Sequence, residues 1–389
     1  MFDELKPIDT DTHITEPRDL WTSRLSRKWG DAVPHVKRIG DEDSWFIKDQ
    51  MIYQMGFANL AGWDGSYPDV PKNYDEFPES AYDAQKRLQH MDTEGIHAQV
   101  LYPNVGGFGS GGFLKLKEPE LMLDCVRAYN DFLSEWVSAD KNRLLPAAAM
   151  PFWDIKECVK EVQRAATLGH KTILASSAPE GFGFPGLSHP HWNPFWAAVQ
   201  ETGLPVSFHI GGGKLDENIA LDRSNKGTRA HTAHVSTTII MGNIYCLSEL
   251  LFGGVCHRFP DLKLISVESG IGWIPSFLEL CDWQFVNGEV RREHPEYDLL
   301  PSEYFRRQLY ASFWFETERA GIETAIRLYP DNIMWETDFP HATSQAPGLK
   351  TGWGRHPRDY AEDSLAFLGA ERLKKVLHGN AAHVFNLGV

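Results

Sequence analysis

The chain has 389 residues, 42% of them hydrophobic and 23% charged, which is ordinary for soluble globular proteins and excludes disordered and fibrous classes. A net charge of -15 with no basic block argues against nucleic acid as a partner and favours a small molecule. The opening "MFDELKPID" lacks the basic and apolar regions of a secretory signal, and five cysteines without C-x-x-C spacing predict neither disulfides nor a thiolate metal site; a reducing cytoplasmic setting is expected.

In chain order, the first candidate strand is "PIDTDTH" (7–13). Residues 20–80 then break any regular pattern. They are rich in Trp, Tyr, Gly, Asp and Pro, with one hairpin in "SWFIKDQMIYQM", and read as an insertion packed over the mouth of the fold. From residue 98 onward, short β-branched or apolar runs alternate with helical stretches. The remaining strand candidates are "AQVLYPN" (98–104), "LLPAAAM" (144–150), "KTILASS" (171–177), "PVSFHI" (205–210), "LKLISVE" (262–268), "QLYASFW" (308–314) and "NIMWETD" (332–338). Between them, segments such as "AYDAQKRLQHMDTEG" and "IKECVKEVQRAATLG" carry helical apolar spacing and end on a glycine able to stop a helix. The apolar run Ile239 to Cys256 contains Asn243, Ser248 and Glu249, so it reads as a buried helix rather than a membrane span. Eight strand–helix alternations predict a single α/β domain over 1–389, a TIM (β/α)8 barrel with its insertion after strand one. Two runs, "GFGSGG" (107–112) and "GFGFPG" (181–186), match G-x-G-x-x-G, but neither leads directly into a helix. They read as mobile loops at the mouth, and no nucleophile elbow or P-loop occurs.

Chemistry in such a barrel gathers at the C-terminal ends of the strands. Asp11 and His13 end strand one, His209 strand five, Glu268 strand six and Asp338 strand eight. Residues 11 and 13 share a face because strand side chains alternate, so the pair forms a two-pronged grip on one ion. Alone, each residue has a plain structural reading: a hydrogen-bonded histidine, a capping aspartate, or, for Glu268, an acceptor that orients a ligand histidine. Their coincidence across four strand ends points to a metal centre. Asp9 lies one pleat deeper, where a structural hydrogen bond is expected. Glu16, Trp21, His231 and His341 are candidate substrate contacts, and His234 is a candidate for substrate contact or proton transfer.

The order D-x-H, then His, then an acid, then Asp resembles the amidohydrolase superfamily, in the branch of aminocarboxymuconate semialdehyde decarboxylase and the resorcylate decarboxylases. "IDTDTHITEP", "NPFWAAVQETGLPVSFH", "HRFPDLKLISVESGIGW", "ETDFPH" and "HGNAAHVF" carry the likeness through nearly the whole chain. The resemblance implies Asp11, His13, His209 and Asp338 as metal ligands, and a homodimer. It departs at "SVESG", where the decarboxylases of this branch usually carry a histidine and this chain has Glu268. With that extra carboxylate, the leading expectation is a metal-dependent hydrolase of an ester, thioester or amide of a bulky carboxylic acid. It would use one or two divalent ions, zinc first, with iron or manganese as alternatives. Asp338 would take a proton from water and hand it to the leaving group, and Glu268 would hold a second ion or orient the water. Two rivals stand beside this reading: a non-oxidative decarboxylase of hydroxybenzoate-like acids, and a barrel that binds metal without turnover.

Overall fold

The computed structural model describes residues 2–65, 68–213, 227–346 and 354–388. Strand β1 (Ile8–His13) opens the fold. The insertion after it supplies the short helix Leu20–Arg24 and a three-stranded antiparallel sheet, β2 (His35–Ile39), β3 (Glu42–Ile47) and β4 (Gln50–Gln54). The expected hairpin is the β3–β4 pair, turning at Lys48 with a left-handed φ of 54°. Strand β2, on the other edge of β3, was not foreseen; its residues lack the apolar alternation of a buried strand and are half to fully exposed.

The barrel strands follow: β5 (Ala98–Tyr102), β6 (Leu144–Ala149), β7 (Thr172–Leu174), β8 (Val206–His209), β9 (Leu264–Val267), β10 (Leu309–Phe313) and β11 (Ile333–Trp335). Each falls inside a stretch predicted from the sequence. With β1 they form one sheet in the order β1-β5-β6-β7-β8-β9-β10-β11, with parallel neighbours, which is the expected TIM barrel. The crossover helices start and stop where their ends are chemically satisfied. Asp83 and Asp154 accept the free backbone N–H groups at the starts of Ala84–Glu94 and Ile155–Leu168, and Gly95, Gly169 and Gly203 end helices in the left-handed conformation.

Alternate residues of the strands, among them Ile8, Val100, Leu145, Ile265, Val267 and Met334, pack inside the barrel together with Ala381, Val384 and Phe385 of the C-terminal helix. That helix plugs the end from which the strands start. Lys263, just before β9, donates from Nζ to the His383 carbonyl at 2.8 Å. Only the opposite end is left open. The apolar run Ile239 to Cys256, expected as a buried helix, forms the helix Met241–Phe252 and enters the short helix Val255–Arg258. Its inner face, including Asn243, Cys246 and Leu250, is buried, whereas Met241 and Tyr245 are exposed. By length and composition Thr228–Phe252 could cross a membrane, yet Asn243 donates from Nδ2 to the Phe208 carbonyl of β8 at 2.9 Å, so the helix packs on the barrel.

The seam where the last strand meets the first is closed largely beyond β11. Asp338 N donates to Asp11 O (2.9 Å) and His13 N to Phe339 O (2.7 Å), while Thr10 Oγ1 donates to Trp335 O (3.0 Å). Asp9 reinforces it from inside. Its carboxylate accepts from Thr337 N (2.8 Å), Thr337 Oγ1 (2.6 Å) and Gln99 Nε2 (3.1 Å), which fulfils the structural role expected of it. Arg87, fully buried, donates to the His13 carbonyl (2.6 Å) and lies over the Phe339 ring (4.6 Å), clamping both sides of the seam. Removing the Asp9 acceptor strands these three buried donors and Asp11 N, which donates to it at 3.3 Å. Asp9→Ala should therefore destabilise the fold by about 3 kcal/mol, seen as a lower urea midpoint with unchanged slope.

Candidate metal centre

The closed seam sets Asp11 and His13 beside Asp338, and the neighbouring strands bring His209 and Glu268 to the same point. His13 Nε2 lies 3.2 Å from His209 Nε2, 3.4 Å from Asp11 Oδ1 and 3.5 Å from Asp338 Oδ1. His209 Nε2 lies 3.5 Å from Asp11 Oδ2 and 3.3 Å from Glu268 Oε2. Ligand atoms about 2.0–2.2 Å from a common ion stand about 3.0–3.6 Å from one another, so this spacing is that of a coordination shell. Two overlapping sets have their potential ligand atoms all within 4.8 Å: Asp11, His13, His209 and Glu268, and His13, Glu268, Asp338 and His341.

The histidines are oriented for metal. His13 Nδ1 faces the Pro103 carbonyl (3.2 Å) and His209 Nδ1 the Ile210 carbonyl (2.7 Å). Carbonyls only accept, so each Nδ1 carries the hydrogen and each Nε2 turns a lone pair inward. Both Asp11 oxygens are buried without a hydrogen-bond donor. Bare carboxylate oxygens facing two imidazole lone pairs are unfavourable in a dry site unless a cation joins them, and these residues fit a divalent ion.

Without an ion, protons take its place. Burial raises the Asp11 carboxyl, but the charges of His209 and His13 outweigh it and hold it below the usual carboxylate range. Burial lowers His209, yet the Asp11 charge prevails and lifts it to about 9. Burial raises Glu268, with Asp338's charge adding to it, and burial also raises Asp338, with Asp11's charge adding to it; both stand well above the ordinary carboxylate range. His13 and His341 are pushed down to about 3, chiefly by burial.

Glu268 and Asp338 both stand just past their strands with left-handed φ values of 55° and 58°. That bend turns each carboxylate from the strand path toward the centre. Glu268 is also held from behind. Glu336 accepts from Glu268 N (3.3 Å) and from Ser312 Oγ, and Glu316 accepts from Ile271 N (2.6 Å), fixing the loop after Glu268. Sequence reading missed Glu336, although its two-residue spacing from Asp338 was a readable signal that the two acids share a side.

His341, a candidate substrate contact, reaches the floor of the mouth. It stacks on His13 (ring centroids 3.7 Å), and its Nδ1 lies 2.8 Å from Asp338 Oδ1. Asn104, at the end of β5 and also missed, determines what that contact is. Its Nδ2 donates to the Ile14 carbonyl (2.7 Å), which leaves Oδ1 to accept from His341 Nε2 (2.9 Å). The Nδ1 of neutral His341 is therefore a lone pair, and its approach to Asp338 Oδ1 is attractive only when a proton or a metal ion lies between them.

Four expected contacts lie elsewhere. Trp21 is wholly buried, edge-on to Trp45 (5.0 Å) and donating from Nε1 to the Cys125 carbonyl; it is a core residue of the insertion, because its large apolar surface is sealed by the helix Pro119–Trp136. Glu16 is buried and accepts from Asn104 N (2.8 Å) and Val105 N (3.0 Å), so it shapes the loop after β5 rather than facing the cavity; burial raises its carboxyl to about 7. His231 and His234 lie on the helix Thr228–Thr238, but Val235 and Ser236 of that helix, and Ile239 just after it, line the cavity and neither histidine does.

The cavity above the centre encloses about 430 Å³, and Glu268, Asp338 and His341 are part of its wall. The "GFGSGG" segment is a packed wall rather than a mobile loop. A Cβ on Gly109 would come within 2.6 Å of Gly212 O, and one on Gly112 within 2.8 Å of Gly106 O. Those close approaches set Phe108 over His209 (4.1 Å) and His13 (5.1 Å), capping the ligand imidazoles with an apolar ring.

A parallel eight-stranded barrel with carboxylates and imidazoles converging at its strand ends defines the class: a TIM-barrel protein with a site able to hold a divalent ion. More narrowly, the chain belongs to the amidohydrolase family, whose model matches residues 8–387. It is 24% identical over 365 residues to the gamma-resorcylate decarboxylase of Polaromonas sp. (strain JS666 / ATCC BAA-500), covering 90% of this chain and 98% of that protein. An amidohydrolase from Mycobacterium avium subsp. paratuberculosis K-10 superposes with a TM-score of 0.76 at 22% identity, over 98% of this chain and 99% of that one. A dihydroxybenzoic acid decarboxylase from Polaromonas sp. JS666, solved with bound manganese and the inhibitor 2-nitroresorcinol, superposes with a TM-score of 0.59 at 18% identity, over 98% and 97% of the two chains.

Because His209 and the raised Glu268 carboxyl hold protons in the metal-free protein, an incoming ion must displace them. Manganese binding at pH 7 should release protons, and apparent affinity should rise with pH through about 9, above which His209 is mostly neutral. Calorimetric titration in two buffers of different ionisation heat reads the release directly; equal heats would contradict it.

Proposed function

We propose that the protein is a metal-dependent, non-oxidative decarboxylase of aromatic acids bearing a hydroxyl beside the carboxylate. The observation that carries this reading is the contact between Asp338 and His341. With the His341 tautomer set by Asn104, Asp338 at the cavity wall is arranged to hold a proton at Oδ1 and to give it away. Protonation of a ring carbon needs such a donor, whereas the hydrolase expected from the sequence needs Asp338 first as a base. The gamma-resorcylate decarboxylase resemblance spans nearly the whole chain and supports the same choice.

Asp11, His13, His209 and Glu268 would hold the ion, leaving Asp338 beside them to carry the proton. The oxygen-rich donor set and the manganese in the Polaromonas neighbour favour manganese over zinc. When bound, the ion supplies positive charge that grips the substrate's carboxylate and neighbouring hydroxyl. Phe108 keeps water from the ligand imidazoles and offers a flat apolar face to an aromatic ring. As the ring-to-carboxylate bond breaks, its electron pair stays on the ring carbon, which takes the Asp338 proton, and carbon dioxide leaves. His341, held by Asn104, keeps Asp338 oriented throughout.

Manganese-loaded protein should release carbon dioxide from 2,6-dihydroxybenzoate. In heavy water it should place one deuterium at the vacated carbon. Asp338→Asn should lower the rate by about a thousandfold while the protein stays folded, a loss typical of removing a proton donor. Thioester or amide cleavage with no carbon dioxide would return the assignment to a hydrolase. Tight ligand binding with no turnover, unaffected by Asp338→Asn, would leave a binding barrel.

A further inference from the structure

The cavity is larger than a simple hydroxybenzoate needs. An enclosed space of about 150 Å³ is enough for one benzene ring, whereas this cavity encloses about 430 Å³. The surplus lies against apolar side chains from three separate segments. Ile52 on β4 and Phe57 in the turn Met55–Ala58 come from the insertion, Phe182 from the turn Pro179–Phe182 after β7, and Val235 and Ile239 from the end of the helix Thr228–Thr238 and the residue just after it. This wall continues the apolar cap over the ligand imidazoles. A Cβ on Gly211 would lie 3.2 Å from the Phe108 ring and 3.6 Å from Ile239 Cδ1, so both side chains flank the same backbone. Across the cavity, the Phe182 ring packs so closely on Gly111 that a Cβ there would come within 2.7 Å of it. Phe57 is 42% exposed, and Ile52, Phe182, Val235 and Ile239 are each half-buried. Five apolar side chains therefore border one cavity with part of their surface still wet, and a ligand that covers them gains that surface as binding energy.

We propose that the substrate is a hydroxybenzoate carrying a neutral apolar arm, alkyl or aryl, on the ring position opposite the reacting carboxylate. This rests on the reading that the ion centre takes that carboxylate, and it extends the simple hydroxybenzoates to larger members of the same class. With the carboxylate and its neighbouring hydroxyl at the ion and the ring along Phe108, the opposite ring position points away from the strand ends. The arm then lies among Ile52, Phe57 and Val235. It touches none of the reacting atoms, so it binds equally before and during bond breaking and acts on KM rather than on kcat.

The test measures carbon dioxide release by manganese-loaded protein from 2,6-dihydroxybenzoate and from its 4-butyl and 4-phenyl derivatives. Each buried methylene corresponds to about a fourfold gain in affinity, and at a partly open mouth the two substituted acids should show KM values about tenfold lower than the parent acid, with kcat little changed. Phe57→Ser combined with Val235→Ser should bring the three KM values together while leaving kcat and KM for 2,6-dihydroxybenzoate as they were. Phe57→Leu combined with Val235→Ile should keep most of the preference. Equal KM values in the wild type, weaker binding of the substituted acids, or a preference that survives the paired serine substitutions overturns the inference and leaves the aryl-acid reading standing. If none of the three acids releases carbon dioxide, the aryl-acid reading falls and this inference falls with it.

Discussion

Uncompensated negative charge at the dry end of the barrel is the constraint on which the rest of the structure depends. Asp11 presents two buried oxygens with no donor, Glu268 and Asp338 crowd against it, and Glu336 lies just behind. Burial makes each carboxylate costly, and Arg87, the buried arginine among the described residues, donates to the Ser80 and His13 carbonyls rather than to these acids. The fold answers with geometry. Two carbonyls set the tautomers of His13 and His209, so that their lone pairs meet the acids at one point, and Phe108 excludes water above them. A divalent ion resolves the whole arrangement, because it converts repulsion among acids and lone pairs into coordination.

Barrel closure and site construction are the same event. The bonds joining β1 to the segment after β11 fix Asp11 and His13 against Asp338, and Asp9 and Arg87 fasten that seam using residues that touch no substrate. The left-handed bends at Glu268 and Asp338 would be strained in an isolated loop. Here Glu336 and the seam hold them, so fold stability sustains the positioning of the ligands.

The barrel and its ligand strand were legible because they rest on local rules. Alternating strands and helices appear as periodicity, and Asp11 with His13 follows from the two-residue repeat of a strand. His209, Glu268 and Asp338 were found by asking which residue types end the strands. What failed was tertiary. Trp21 looked like mouth surface, but its burial depends on Trp45, Phe113 and the distant helix Pro119–Trp136. His231 and His234 were placed near the mouth correctly, but which face of a helix meets a cavity is decided by packing. Glycine in "GFGSGG" suggested mobility, whereas each smooth backbone approach there needs a missing side chain. Asn104 was overlooked because an asparagine at a strand end carries no charge, although it fixes the His341 tautomer.

The account therefore turns on whether the acid and imidazole cluster is an ion site. Metal content by elemental analysis, on protein purified without added metal and again after chelation and reloading with manganese, tests this most directly. The expected result is about one ion per chain, removed by chelator, restored on reloading, and absent from a folded Asp11→Asn variant. A folded wild type that stays metal-free after manganese is supplied would contradict the central claim, since the buried acids would then be balanced by protons alone.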